Sequence, residues 1–284
     1  MKQIVECVPN FSEGQDNNII DAIAASIDAV EGVKLLSVEP DKDYNRTVIT
    51  FVGEPNSVKE AAFQATKAAS ELIDMTNHKG EHPRLGTVDV VPFVPVSGAT
   101  MDDCVKLARE YGERVARELN IPIYLYEEAA TKPDRKNLAT IRKGEYEGLP
   151  EKLKDPNWYP DFPIVGENQF NPKSGATVTG ARFFLIAYNV NLKTGDKNIA
   201  HEIALRIRES GRPKKNEKGE VVKDEFGKTV NISGSLKSVK AMGVLLERFN
   251  IAQVSINLTN FNETPPHVAF EEVKKQAEKL GVEV

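Results

Sequence analysis

Val33-Lys34-Leu35-Leu36-Ser37-Val38, then Glu39-Pro40-Asp41-Lys42-Asp43-Tyr44-Asn45-Arg46, then Thr47-Val48-Ile49-Thr50-Phe51-Val52: two apolar, β-branched runs are joined by a polar connection with no helical periodicity. Such a pair reads as two strands in direct succession. What flanks it sets the fold. Upstream, Asp16 can cap a helix that carries Ile19, Ile20, Ile23, Ile27 and Val30 at helical spacing and stops at Gly32. Downstream, Asn56 or Ser57 starts a second helix with Val58, Ala61, Ala62, Ala65, Ala69, Leu72 and Ile73 on one side. Ile4 to Val8, ended by Pro9, is a first strand, and Val88 to Val96 a last one. Pro92 and Pro95 within that last run predict an edge position or a bulge, because proline cannot donate to a ladder. The order strand, helix, strand, strand, helix, strand is the split βαβ, ferredoxin-like arrangement.

An appendage follows. Thr100-Met101-Asp102-Asp103 resembles a capping box with Asp in place of Glu, opening a helix to about Leu119, and Ile121 to Tyr126 reads as another strand. Residues 127–175, rich in charge, Pro and Gly, read as a short helical piece and a long loop. The pattern then restarts: a strand over Phe183 to Val190, a helix with Ile199, Ala200, Ile203, Ala204 and Ile207, an exposed Lys/Glu-rich hairpin or loop over 212–231, strands over Val239 to Arg248 and Ala252 to Leu258, and a helix opened by Pro265-Pro266 and closed by Gly281. The expected fold class is therefore α+β: two ferredoxin-like (split βαβ) subdomains in tandem, 1–178 and 179–284, mixed sheets with helices on the outer faces. The duplication is one of pattern, not of sequence identity.

Composition bounds the function. At 284 residues, 40% hydrophobic and 28% charged, this is a folded globular chain. It has no apolar run long enough for a spanning helix, and Met1-Lys2-Gln3-Ile4-Val5-Glu6 lacks the pattern of a signal peptide, so a cytoplasmic location and no membrane partner are expected. A net charge of −5 provides no global basic field, so nucleic acid is not an expected partner. Cys7 and Cys104 fall in apolar patterns and read as core thiols, since reducing compartments disfavour a disulfide.

Four stretches concentrate polar chemistry. His78-Lys79-Gly80-Glu81-His82-Pro83-Arg84-Leu85-Gly86 packs two His, an Arg and a Glu into one helix-to-strand loop. His78 and His82 have the i, i+4 spacing of a helical metal pair, but Gly80 and Pro83 argue against a helix there, so no metal is expected. Val8-Pro9-Asn10-Phe11-Ser12-Glu13-Gly14 reads either as a turn into a helix cap or as a turn presenting Asn10 to a ligand. The Glu39–Arg46 connection reads as a solvated hairpin in which Glu39 is the carboxylate best placed to point inward. The fourth is Pro163-Ile164-Val165-Gly166-Glu167-Asn168-Gln169-Phe170-Asn171-Pro172-Lys173-Ser174-Gly175, a linker by composition.

Together these residues resemble the formiminotransferase family: the transferase part of mammalian formiminotransferase-cyclodeaminase and its free-standing bacterial relatives. The resemblance rests on Val5-Glu6-Cys7-Val8-Pro9-Asn10-Phe11-Ser12-Glu13-Gly14, Asn45-Arg46-Thr47-Val48, His78 to Arg84, Gly144-Glu145-Tyr146-Glu147, Gly175-Ala176-Thr177, Gly180-Ala181-Arg182 and Ala252-Gln253-Val254-Ser255, in order along nearly the whole chain. It implies that His82, in Gly-Glu-His-Pro-Arg, is catalytic, that Glu39 is the carboxylate at the end of the second strand, and that folate binds along Pro163 to Gly175. That loop departs from the mammalian members: it is longer, and Ser174 stands where they have Trp. Relatives also continue beyond Val284, so the last strand of the second half is expected to be missing or borrowed.

The implied reaction moves the formimino group of N-formimino-L-glutamate to N5 of tetrahydrofolate, the co-substrate, polyglutamylated forms included, in histidine degradation and one-carbon metabolism. One imidazole can take the proton from the incoming nitrogen and return it to the leaving one. Two anionic substrates need local positive charge, for which Arg46, Arg84, Lys173 and Arg182 are candidates, Arg84 foremost. A homodimer is implied, with the site between the two halves. The rivals are formyl transfer between 5-formyl-tetrahydrofolate and glutamate, and a ligand-binding ferredoxin-like module without turnover.

Overall fold

The structure, a computed structural model, describes residues 2–166, 169–225 and 227–284. It divides into two compact units, Met1–Arg182 and Phe183–Val284.

In the first unit β1 (Ile4–Cys7) and β2 (Asn10–Phe11) form one strand broken at Val8-Pro9. Then come α1 (Asn17–Asp28), β3 (Val33–Asp41), β4 (Arg46–Gly53), α2 (Pro55–Leu72), β5 (Val88–Ser97), α3 (Met101–Leu119) and β6 (Ile123–Glu127). Two short helices, α4 (Leu138–Arg142) and α5 (Glu145–Lys152), precede β7 (Thr177–Ala181). The local signals act as read. The Asp16 side chain accepts from the Asn18 N–H at 2.8 Å, and Thr100 and Asp103 form the reciprocal capping box. Helix α2 instead starts at Pro55, with Glu54 as a cap that makes no side-chain bond, because proline's fixed φ suits the first helical position.

β3 pairs with β4, β4 with β1 and β2, and these with β5, all antiparallel. β7 then pairs parallel to both β5 and β6. The sheet is thus mixed, and the architecture α+β. Of the two readings of Pro92 and Pro95, an edge position or a bulge, the second holds at Pro95: β5 lies between β1/β2 and β7, and its register shifts at Ile4/Val5, opposite Pro95 and Ser97. Thr177–Ala181, not read as a strand, is buried throughout the sheet interior. The boundary expected at 178/179 falls inside this strand, whereas the units part after Arg182.

Helices α1, α2 and α3 cover one face of the sheet, where Val5, Cys7, Ile49, Phe51 and Phe93 meet Ile23, Ile27, Ala61, Ala65 and Tyr111. Burying a side chain such as Phe51 or Phe93 stabilises by about 1.5–3 kcal/mol. Small residues let α2 approach, and the Thr66 hydroxyl meets the Tyr111 hydroxyl at 2.6 Å so that neither is buried unpaired. Both cysteines are free and buried. On the other face, a smaller cluster of Leu85, Val90, Tyr124, Tyr126, Ile141, Leu149, Ala176 and Val178 gathers α4 and α5 over the β5–β7–β6 end. Arg135 and Asp161 tie down this cover through an ion pair at 2.6 Å.

The second unit has β8 (Ile186–Asn191), α6 (Lys197–Ile207), a small ribbon of β9 (Arg212–Pro213) and β10 (Asn231–Ile232), β11 (Val239–Leu246), β12 (Ile251–Leu258) and α7 (Pro266–Lys279). β8 starts at Ile186, three residues later than its apolar run suggests. Its sheet runs β11-β12-β8, antiparallel throughout. Alternation along β12 turns Ala252, Val254, Ile256 and Leu258 onto Ile203, Ile207, Ala269 and Val273 of the two helices. Val282 and Val284 also pack on this cluster, and the Lys193 N–H donates to the Glu283 carbonyl at 2.9 Å.

Candidate functional site

The loop from His78 to Gly86 is fastened to the β3–β4 turn. Asn45, buried and at φ 47°, is the hub: its Oδ1 accepts from the Gly14 N–H at 2.9 Å, its Nδ2 donates to the Lys79 carbonyl at 2.8 Å, and its carbonyl meets His78 Nε2 at 3.1 Å. A Cβ on Gly80 would stand 2.4 Å from the Tyr44 carbonyl, so glycine is what allows the loop so close to that turn. At the other end a Cβ on Gly86 would meet the Ser174 carbonyl at 2.3 Å.

This brings His82 to Arg46 at the start of β4. Arg46 Nη1 lies 2.9 Å from His82 Nε2 and donates to Asn10 Oδ1 at 3.1 Å. Tyr44 stands edge-on to the imidazole, ring centroids 6.1 Å apart, with the Arg46 guanidinium 6.0 Å from its ring. Three sequence-remote candidates, Asn10, Arg46 and His82, therefore converge. Burial, reinforced by the charges of Arg46, Arg142 and Arg84 and opposed by Asp41, pushes the His82 pKa down to about 3. Burial, with Arg142 adding to it, also lowers Arg46.

Arg142, Asp89 and Asp41 were not singled out in the sequence. Arg142 lies in α4 and pairs with Asp89, its Nε 3.3 Å from Oδ1 and its Nη2 on Oδ2. Buried Asp89 also accepts from the Leu85 N–H at 3.0 Å, so one carboxylate fixes both the His82 loop and a cation. Asp41 faces Arg46 in register, and its Oδ1 accepts from the Asp43 and Tyr44 N–H groups. The signal for Arg142 was its place just before Gly144-Glu145-Tyr146-Glu147; for Asp41, its membership of the β3–β4 connection.

The other candidates make different contacts. Glu39 is exposed on β3 rather than turned inward as expected; it stands opposite Val48, which in turn stands opposite Asn10, so it shares a sheet face with Asn10. Arg84 is buried and turned to α5, with Nη1 3.2 Å from Glu145, Nη2 2.6 Å from Glu147 and Nε donating to His78 Nδ1 at 3.2 Å. Burial opposes its charge, but these carboxylates more than offset that and hold its pKa up. A depression of about 440 Å³ opens beside this cluster, lined by His78, Lys79, Gly80, Arg84, Gly144, Glu145 and Glu147. With both nitrogens of His78 so engaged, the two histidines do not converge, and among the described residues no group of three or more His, Cys, Asp or Glu could hold a metal. The Arg182 side chain bonds the Tyr126 hydroxyl; burial raises the pKa of Glu6, and the Arg182 charge offsets only part of that rise.

The 163–175 loop closes on itself and on the first unit. Gln169 is buried and bonds the Ile164 N–H and carbonyl and the Gly166 carbonyl. Phe170 packs on Tyr146 with centroids 5.8 Å apart, and the Tyr146 hydroxyl donates to the Pro172 carbonyl at 2.6 Å. Asn171 Nδ2 donates to the Asn120 carbonyl, Lys173 Nζ to the Glu71 carbonyl, and the Ser174 carbonyl accepts from Thr87. Val165 is 86% exposed at the tip. Glu167 and Asn168 lie outside the described residues. Among the described residues no helix is long and apolar enough to cross a membrane.

The depressed imidazole makes a prediction. Between about 3 and the ordinary 6.5, the unfolded chain binds a proton at His82 that the folded chain does not. Its stabilising share is present above 6.5 and is lost as pH falls through that window. Denaturant midpoints measured from pH 7 to pH 5 should therefore fall less steeply in His82→Gln than in the parent protein. Identical slopes would contradict a neutral imidazole.

The profile described as formiminotransferase domain, N-terminal subdomain, matches residues 4–182, and that of the formiminotransferase domain matches 187–284. The chain is 52% identical to a formimidoyltransferase-cyclodeaminase of Dictyostelium discoideum and 50% identical to that of Mus musculus, over its whole length and 49% of theirs. It thus spans about half of those relatives. It is also 46% identical to a glutamate formimidoyltransferase of Streptococcus pyogenes serotype M1, over all of this chain and 87% of that one. On these matches, which run from end to end of the two units, the chain belongs to the formiminotransferase family.

Proposed function

We propose that this protein is a one-carbon transferase that moves the formimino group of N-formimino-L-glutamate to N5 of tetrahydrofolate, giving 5-formimino-tetrahydrofolate and glutamate. The observation that carries the reading is the half-buried His82 imidazole, held neutral beside an arginine-rich floor, in a chain of this family. The N5 amine attacks the amidine carbon and forms a tetrahedral adduct. His82 takes the proton from the incoming nitrogen and delivers it to the glutamate nitrogen as the old C–N bond breaks. Glutamate then leaves as an amine rather than as a poor anionic leaving group. Arg46 and Asn10 bind substrate, Glu39 favours the cationic amidine, and the 163–175 loop holds the folate, with exposed Val165 offering it an apolar contact. No metal takes part.

The strand order β3-β4-β1/β2-β5 in the first unit and β11-β12-β8 in the second supports two split βαβ subdomains in tandem, the first carrying the catalytic loop. We extend the proposal to a cytoplasmic homodimer; light scattering showing a monomer at micromolar concentration would count against the dimer. The reaction is tested by offering the purified protein N-formimino-L-glutamate with tetrahydrofolate and, separately, 5-formyl-tetrahydrofolate with glutamate. Transfer is expected from the first pair. Transfer from the second pair alone, or from neither, refutes the reading.

A further inference from the structure

We propose that Arg46 senses the substrate carboxylate: in the free protein its guanidinium closes the lone pair of His82, and an arriving carboxylate draws it away and releases that nitrogen for proton transfer. This deepens the transferase reading and rests on it.

A guanidinium only donates, so with Arg46 Nη1 at 2.9 Å His82 Nε2 must accept, and Nδ1 carries the imidazole proton. The nitrogen a general base would use is therefore already occupied. Arg46 is also poorly satisfied. Arg84, Arg135 and Arg142 each pair with a carboxylate, whereas Arg46 forms no salt bridge among the described residues, and its Nε–H is buried without a partner. An unpaired Nε beside an Nη is the donor edge that binds a carboxylate bidentately. An anion there would meet two needs at once: a partner for the orphaned N–H and a counter-charge for a half-buried cation.

The groups around His82 agree. Tyr44, Asp41 and Arg46 face it from the β3–β4 region, Arg84 from its own loop and Arg142 from α4. Three of these are cations; the one carboxylate, Asp41, has its Oδ1 engaged by the backbone of its own turn. An added carboxylate would reverse the local balance that keeps the imidazole neutral. Base strength and substrate occupancy thus become linked: the imidazole becomes able to hold a proton when glutamate's carboxylate is in place.

The test is histidine-ring NMR on the full chain, with L-glutamate as a dicarboxylate probe that carries no transferable group. In the free protein His82 should be the Nδ1–H tautomer and stay neutral at pH 5.5. Saturating glutamate should raise its titration midpoint by about 1–3 pH units, the effect of a counter-charge at contact range. Arg46→Gln should raise the midpoint without glutamate, make it insensitive to glutamate, and increase KM for formiminoglutamate about 10–100-fold, as expected for lost charge-assisted bonds, with less effect on kcat. Arg46→Lys should keep part of the response to glutamate. The rings of His78, His201 and His267 report whether each variant is folded. An Nε2–H tautomer in the free protein, or a midpoint that glutamate leaves unmoved, overturns the proposal. If glutamate shifts His82 but no donor supports transfer, the transferase reading falls alone. If transfer proceeds and His82 does not respond, carboxylate sensing falls alone.

Discussion

His82→Ala should lower kcat for formimino transfer by about 10²–10⁴, the range for a positioned acid–base group. The chemistry demands two proton movements at nitrogen, and His82 is the imidazole brought to the arginine floor; His78 has both nitrogens engaged by Asn45 and Arg84. The fold should survive. His82 is half-buried, and its contacts are with Arg46 and Tyr44 rather than with the hydrophobic clusters. Turnover near the parent rate in a variant with unchanged circular dichroism would remove His82 from the mechanism.

Asp161→Ala should cost about 3–5 kcal/mol of stability, because it strands a buried guanidinium. Arg135 is 1% exposed, and its side chain is matched by an Asp161 side chain at 7%. Arg135 Nη2 donates to the Asn157 and Tyr159 carbonyls at 3.0 and 2.7 Å, and the Tyr124 and Trp158 rings lie 5.3 and 6.0 Å from the guanidinium, but its Nε has no partner and among the described residues no second carboxylate pairs with it. Asp161 also accepts from the Leu125 N–H at 2.9 Å and from the Thr131 hydroxyl, so the substitution removes these two bonds as well and leaves position 161 held to β6 through its backbone bond to Ile123. Urea unfolding should show the loss, and Arg135→Met combined with Asp161→Leu should recover much of it, since an apolar pair avoids desolvating two charges. A single variant as stable as the parent would mean that the pair does not hold the α4–α5 cover in place.

What could be read in advance follows the range of the interactions involved. Asp16, the Thr100–Asp103 box and the β11 and β12 runs are local signals, and each element formed near its predicted place. Thr177–Ala181 has no such signal: five small or β-branched residues ending Gly-Ala become a strand through pairing with β5 and β6, which local periodicity does not encode. Pro92 and Pro95 left an edge position and a bulge both open for a related reason: only the long-range pairing of β5 decides between them, and at Pro95 it gives an interior strand with an irregular ladder. At the site, the family motif located His82, Asn10 and Arg46. Their joint geometry, the diversion of Arg84 to Glu145 and Glu147, and the entry of Arg142 through buried Asp89 depend on how α4 and α5 lie over the sheet. That depends on a buried ion pair between residues 135 and 161, which composition alone presents as two charges in a loop.

The late insertion of β7 between β5 and β6 also bears on how this protein is made. β6 has no sheet partner until residues 177–181 emerge from the ribosome, after the whole segment 128–176 has been synthesised. Until then β5 and β6 each present an apolar flank that only a parallel, long-range pairing can close, the slowest kind of contact to find. Nascent chains stalled in this interval would expose two sticky strand edges, and chaperone demand would peak there rather than at completion of the chain.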